Sequence, residues 1–111
     1  MSTSILNDIK HTLGLLPDEL AFDSDLLIFI NAQFATLTQL GVGPVQGYAI
    51  TNADNTWDEF VNDVRLDSVK TYIFLKVKLM FDPPSTGFVV ASFERQIDEL
   101  VFRLNVVADY G

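Results

Sequence analysis

Hydrophobic positions along this chain recur with helical rather than alternating spacing. Ile5, Ile9 and Leu13 stand at i, i+4 and i+8 within residues 2–13, with Gly14 and Pro17 behind them. That pattern predicts a first helix closed by breakers. A second helix is expected from Asp23 to Leu40, with Gly41 as its stop. Asp23 is placed to cap it, Asp25 adds charge that the helix dipole favours, and Phe22 with Leu27 fits a hydrophobic staple. Leu27, Ile30, Phe34 and Leu37 form its stripe, while Ile28, Phe29, Ala32 and Ala35 lie partly off it. Apolar residues on more than one side predict a central helix, or one facing both its own core and a neighbour.

Residues 42–55 break the pattern with Gly43-Pro44, Gly47 and Asn52-Ala53-Asp54-Asn55. Tyr48-Ala49-Ile50-Thr51 has strand character but no partner strand, and a loop this long suggests an interaction element. Thr56-Trp57-Asp58-Glu59 reads as a capping box opening a short helix with Trp57, Phe60, Val61 and Val64 inward. Asp67-Ser68 should cap a stronger helix to Phe81, with Val69, Tyr72, Ile73, Val77 and Met80 as its core stripe. Asp82-Pro83-Pro84 ends it. Ser85 or Thr86 caps a last helix carrying Val89, Phe93, Ile97, Leu100 and Leu104 inside, with Arg95, Glu99 and Arg103 paired at i, i+4 outside. The short Pro-Pro link makes the last two helices antiparallel neighbours. The fold class expected is all-α, a small bundle of four to five helices with one long irregular loop, as a single domain over residues 1–111.

Composition adds a surplus of apolar surface. Hydrophobic residues make up 49% of 111 residues, more than a lone bundle this small should hide, and such surplus marks contact with another chain. Phe29, Tyr48, Phe74 and Phe102 fall off the core stripes and are candidates for buried contacts between chains. Without cysteine there are no disulfides, thiolate metal sites or cysteine nucleophiles. Met1-Ser2-Thr3-Ser4 lacks a basic n-region and no apolar run is long enough for a bilayer, so a chain soluble and cytosolic when made, with no membrane partner, is expected.

Charge argues against nucleic-acid binding: seven Lys and Arg stand against fifteen Asp and Glu, a net −8. Lys70, Phe74 and Lys78 share one helix face, but two lysines cannot outweigh the surrounding acid, and that face reads as a subunit contact. His11, three residues after Asp8, lacks a nucleophile to serve, so no catalytic residue is assigned. The acidic groups Asp18-Glu19, Asp23 with Asp25, Asp58-Glu59 and Asp98-Glu99 have no Ca²⁺-loop pattern and mostly sit at helix starts. Gly41-Val42-Gly43-Pro44 lacks the Lys-Ser/Thr of a nucleotide loop. No cofactor and no metal are expected. An acidic inhibitor or DNA mimic binding a host DNA-handling protein is the alternative that the charge allows.

Three segments carry a resemblance. Leu37-Thr38-Gln39-Leu40-Gly41-Val42-Gly43-Pro44, Thr56-Trp57-Asp58-Glu59-Phe60 and the block Val69-Lys70-Thr71-Tyr72 through Phe81-Asp82-Pro83-Pro84 resemble the small head–tail connector (head completion or adaptor) proteins of long-tailed bacteriophages. Glu94-Arg95-Gln96-Ile97-Asp98-Glu99-Leu100 with Arg103-Leu104-Asn105 is similar to that family's closing helix, and Val101-Phe102 departs from it. The resemblance implies a structural, non-enzymatic virion protein at the neck. It implies a ring of about twelve subunits closed head to tail beneath the portal protein. That ring would bind the next neck or tail-completion protein and extend a channel through which DNA passes without specific binding. Carried over, residues 43–55 take ring or next-ring contacts. The subunit-interface candidates are Phe29, Tyr48, Ile50, Lys70, Phe74 and Lys78. The portal-side candidates are Phe93, Ile97, Val101, Phe102, Leu104 and Val107. The 42–55 segment is expected to order on docking.

Overall fold

In the computed structural model, which describes the backbone of residues 2–110 and the side chains of residues 2–106, four α-helices follow one another: α1 (Ile5–Thr12), α2 (Asp23–Gln39), α3 (Leu66–Phe81) and α4 (Gly87–Tyr110). α3 is the central helix, packed between α2 and α4, while α1 lies against α2. The Phe22 and Phe81 rings meet edge to face at 5.1 Å, which sets the start of α2 beside the end of α3 and makes the two antiparallel. The five-residue link from Asp82 to Thr86 turns α4 back along α3. All the expected helices except the one after Thr56 are present, and no strand occurs among the described residues.

The core joins Ile5, Leu6 and Ile9 of α1 to Leu26, Ile30, Phe34 and Leu37 of α2 and Val69, Tyr72, Ile73, Leu75 and Val77 of α3. Ile97, Leu100 and Leu104 of α4 close it. The α2 stripe is rotated from its expected position: Leu26 is buried and Leu27 only half-buried. Met80, Val64 and Val89, all expected inside, are exposed: Met80 lies at the edge of the α2–α3 contact, its sulfur 3.6 Å from Gln33 Nε2, Val64 lies in the turn ahead of α3, and Val89 lies in the first turn of α4.

Helix starts differ from the sequence expectation in a consistent way. Ser4 caps α1 by accepting from the Asn7 N–H at 3.2 Å, and Thr86 accepts from the Val89 N–H at the head of α4. Asp23, however, lies inside α2 rather than capping it, and Phe22 occupies the cap position with its ring on Phe81 instead of serving a staple. Asp67-Ser68 lies inside α3. The turn before α3 is closed by Asp63, which accepts from the Arg65 N–H at 2.9 Å and from its guanidinium at 2.8 Å. Thr56-Trp57-Asp58-Glu59 forms no capping box and no α-helix, only a 3-10 turn over Trp57–Glu59. Its hydroxyl and carboxylate have other partners: Thr56 donates to Asp58, and Glu59 accepts from Tyr48 and Asn55.

Candidate functional site

The irregular segment between α2 and α3 is built into the subunit rather than left to a partner. The Asn31 side chain on α2 accepts from the Ile50 N–H at 2.7 Å and donates to the Ile50 carbonyl at 2.9 Å. Further on, the Asn55 side chain accepts from the Thr51 N–H at 2.8 Å, folding residues 51–55 into a tight turn. Residues ahead of α1 then strap this turn. Ser4 bridges antiparallel to Thr56, the Ile5 N–H reaches the Asn55 carbonyl at 3.0 Å, and the Asp58 N–H reaches the Ser2 hydroxyl at 3.0 Å. Beneath the loop, the Phe34, Tyr48 and Phe60 rings pack with centroids 4.6–5.6 Å apart. Gly43, at φ +83°, lies so close to Phe60 that a Cβ there would meet the ring at 2.4 Å. The segment expected to order only on docking therefore already has its hydrogen bonds within the chain.

That geometry sorts the interface candidates. Ile50 is 2% exposed and belongs to the subunit's own core, so it offers a neighbour no surface. Tyr48 is half-buried, its hydroxyl donating to Glu59 at 2.7 Å. Burial, then the Glu59 carboxylate, pushes the Tyr48 phenol well above its ordinary range. Phe29 and Phe74 are half-buried against the core. Lys70 stands 5.5 Å over the Trp57 ring, a cation–π contact, and Lys78 pairs with Asp82 at 2.8 Å. On α4, Ile97 and Leu104 are buried against α3, Phe93 and Val101 are half-buried, and Phe102 is 72% exposed. The Val107 side chain lies outside the described residues. The expected Arg95–Glu99–Arg103 ladder does not form: the ion pairs among the described residues are Lys10–Asp23, Arg65–Asp63 and Lys78–Asp82.

Apart from Leu16 and Leu20 in the segment before α2, Ile28 on α2 and Val89 on α4, the exposed large apolar side chains make two groups at opposite ends of the bundle. Phe22, Met80 and Phe88 stand where α2 begins, α3 ends and α4 begins. Val45, Val64, Phe102 and Val106 stand where α2 ends, α3 begins and α4 ends. Sequence reasoning marked only Phe102 among these as a contact between chains, and placed Met80 and Val64 inside. Periodicity could have flagged Phe88 and Val106, which repeat the Phe102 register on the side of α4 turned away from the core, but Val45 and Val64 lie in irregular segments where periodicity says nothing.

Sequence reasoning also missed Lys10. Its side chain is fully buried, donating from Nζ to Asp23 at 2.8 Å and to the Pro17 carbonyl at 3.0 Å, which ties α1 to the turn before α2. Candidate chemistry is thin. Asp8 does not bond to His11; it accepts from the Trp57 indole N–H at 2.8 Å and from the Thr3 hydroxyl. His11 is exposed beside a shallow pocket with Lys70 and Phe74. Among the described residues no cluster of three His, Asp or Glu is placed to hold a metal ion, and no helix is long and apolar enough to cross a membrane.

An all-α domain with apolar side chains exposed at both ends has the surface of a subunit that meets other chains. Residues 5–111 match the family described as phage connector protein, and the chain belongs to that family. It is a structural connector protein of a bacteriophage, of the head–tail connector kind, and the family places it in the virion. No curated protein and no solved structure matches the chain.

Proposed function

We propose that the protein is a ring subunit between the portal and the neck or tail, with no enzymatic role. The observation that carries this reading is the placement of exposed apolar residues at opposite ends: Phe22 and Met80 at one, Val45 and Val64 at the other. Two different patches on one chain suit a head-to-tail contact, and such a contact closes into a ring when its rotation divides a full turn. The ring has about twelve copies, the number that the resemblance implies. The outer face of α4, with Phe102, serves the portal. The preformed 42–60 loop, presenting Val45, serves the neighbouring subunit or the next neck protein. The net charge of −8 keeps the channel from holding DNA as it passes.

Light scattering on the chain alone and mixed with the portal protein tests this. The expected result is a ring mass on the portal, reduced to free monomer or dimer by Met80→Glu or Val45→Glu. A chain that stays apart from the portal at every concentration contradicts the proposal.

A further inference from the structure

We infer that two copies of the free protein pair through the outer face of α4, antiparallel, about a two-fold axis at the level of Ile97. On the side of α4 facing α3 lie Phe93, Ile97, Leu100 and Leu104. On the opposite side, residues 88, 92, 95, 99, 102 and 106 recur at alternating spacings of four and three, the spacing of a seam between two helices. This second seam has no cover among the described residues. Phe88 is 79% exposed, Phe102 72% and Val106 36%. Arg95 and Glu99 are exposed at its middle, and neither has an ion-pair partner among the described residues.

The order of these residues is self-complementary when one helix is reversed against its copy. Positions equidistant from Ile97 then face each other. Arg95 meets Glu99 of the second copy, and Glu99 meets its Arg95, so the two central charge pairs are both attractive. Phe102 falls on Ala91 and Ser92 of the second copy, small residues that leave room for a ring. Phe88 reaches Val106, beside an open groove of about 530 Å³ lined by Asp98, Glu99, Phe102, Arg103 and Val106. A parallel pairing in register sets Arg95 on Arg95 and Glu99 on Glu99, which is repulsive. The charge pattern therefore selects both the occupant and its direction.

A two-fold contact closes at two copies and cannot build a ring. The pair is a state of the free protein, and it covers Phe102 and Val106. If α4 also serves the portal, as in the function proposed above, the pair must separate before docking, and free subunits are kept from premature contacts. That consequence rests on the proposed function; the pairing does not.

Sedimentation equilibrium of the full chain without portal protein tests the pairing, so its outcome is separate from that of the portal-mixing experiment. The wild-type chain is expected to show a monomer–dimer equilibrium. Arg95→Glu or Glu99→Arg alone should weaken it on the order of tenfold, since both central pairs become repulsive. An equimolar mixture of the two variants should associate again, because every pair across the seam is then opposite in charge; a change of stability within one chain cannot do this. Phe102→Ser weakens the dimer without touching charge, and circular dichroism checks that each variant keeps its helices. A wild-type chain that is monomeric at all concentrations, association indifferent to both charge reversals, or a mixture that does not associate overturns the inference.

Discussion

The side-chain amide of Asn31 gives the backbone of Ile50 the pair of hydrogen bonds that a neighbouring strand would otherwise supply, at 2.7 and 2.9 Å. Ile50 is buried, so its N–H and C=O have no easy access to water, and one side chain on α2 sets the course of the whole connection to α3. Asn31→Leu leaves both groups unpaired. We expect a loss of about 2 kcal/mol in urea unfolding, together with faster hydrogen exchange at the Ile50 amide. Asn31→Asp, which still accepts but no longer donates, should fall between.

Gly43 and Gly47 separate two effects of a left-handed backbone. Both have positive φ, but a Cβ at Gly47 meets nothing within 4 Å, whereas at Gly43 it strikes Phe60. Gly47→Ala should cost about 1–2 kcal/mol from backbone strain alone. Gly43→Ala adds overpacking against the ring and should cost about 2–4 kcal/mol. Thermal or urea unfolding of the two variants side by side reads the difference.

The buried ion pair of Lys10 with Asp23 is unequal in burial: the lysine side chain is 1% exposed and the aspartate 26%. Removing the aspartate strands a buried ammonium with only the Pro17 carbonyl, and Asp23→Ala is expected to cost about 3–5 kcal/mol. Lys10→Met fills the same channel with an apolar stem and leaves a carboxylate that water can reach, so it should change stability by about 1 kcal/mol or less. Equal losses in the two variants would show that burial of the lysine is not what decides.

Hydrogen bonds from Tyr48 and then Asn55 hold the Glu59 carboxyl below its ordinary range. Because the folded value lies below the unfolded one, this contribution to stability is present in full above the unfolded pKa, near about 4.3. It is lost as pH falls through the lower folded value. Asp58, lowered by the Thr56 hydroxyl, and Asp63, lowered by Arg65, add in the same direction. A melting-temperature profile should therefore drop below about pH 4. Glu59→Gln or Tyr48→Phe should flatten that drop by lowering stability at neutral pH, where the contribution is present, and should differ least from the wild type at acid pH, where it is already lost.

The helices were legible because their signals are local. Ile5, Ile9 and Leu13, the Asp82-Pro83-Pro84 break, and the run from Val69 to Val77 each show their period or their punctuation within a few residues. The caps were not legible at the same level. Asp23, Thr56 and Glu59 have the chemistry of caps, but each found a different partner, in Lys10, Asp58, and Tyr48 with Asn55. A side chain that can bond locally bonds elsewhere when folding brings a better-placed group, and that choice cannot be read from spacing. Interface residues divide in the same way. Phe102 was marked by its register off the stripe, while Ile50 looked like a loop residue free to meet a neighbour until Asn31 drew it inside.

By itself the sequence determined an all-α chain, the position of its breakers, its acidity and its surplus of apolar residues, because periodicity, proline, glycine and charge act over a turn or less. Its order of segments also carried the likeness to phage connectors. Tertiary structure alone decided that Lys10 is buried, that the 42–60 loop is held by Asn31 and the Ser2–Ser4 strap, and that the exposed apolar residues gather at two ends and along the back of α4. Each of these depends on groups far apart in the chain meeting in space, a relation that no local pattern encodes.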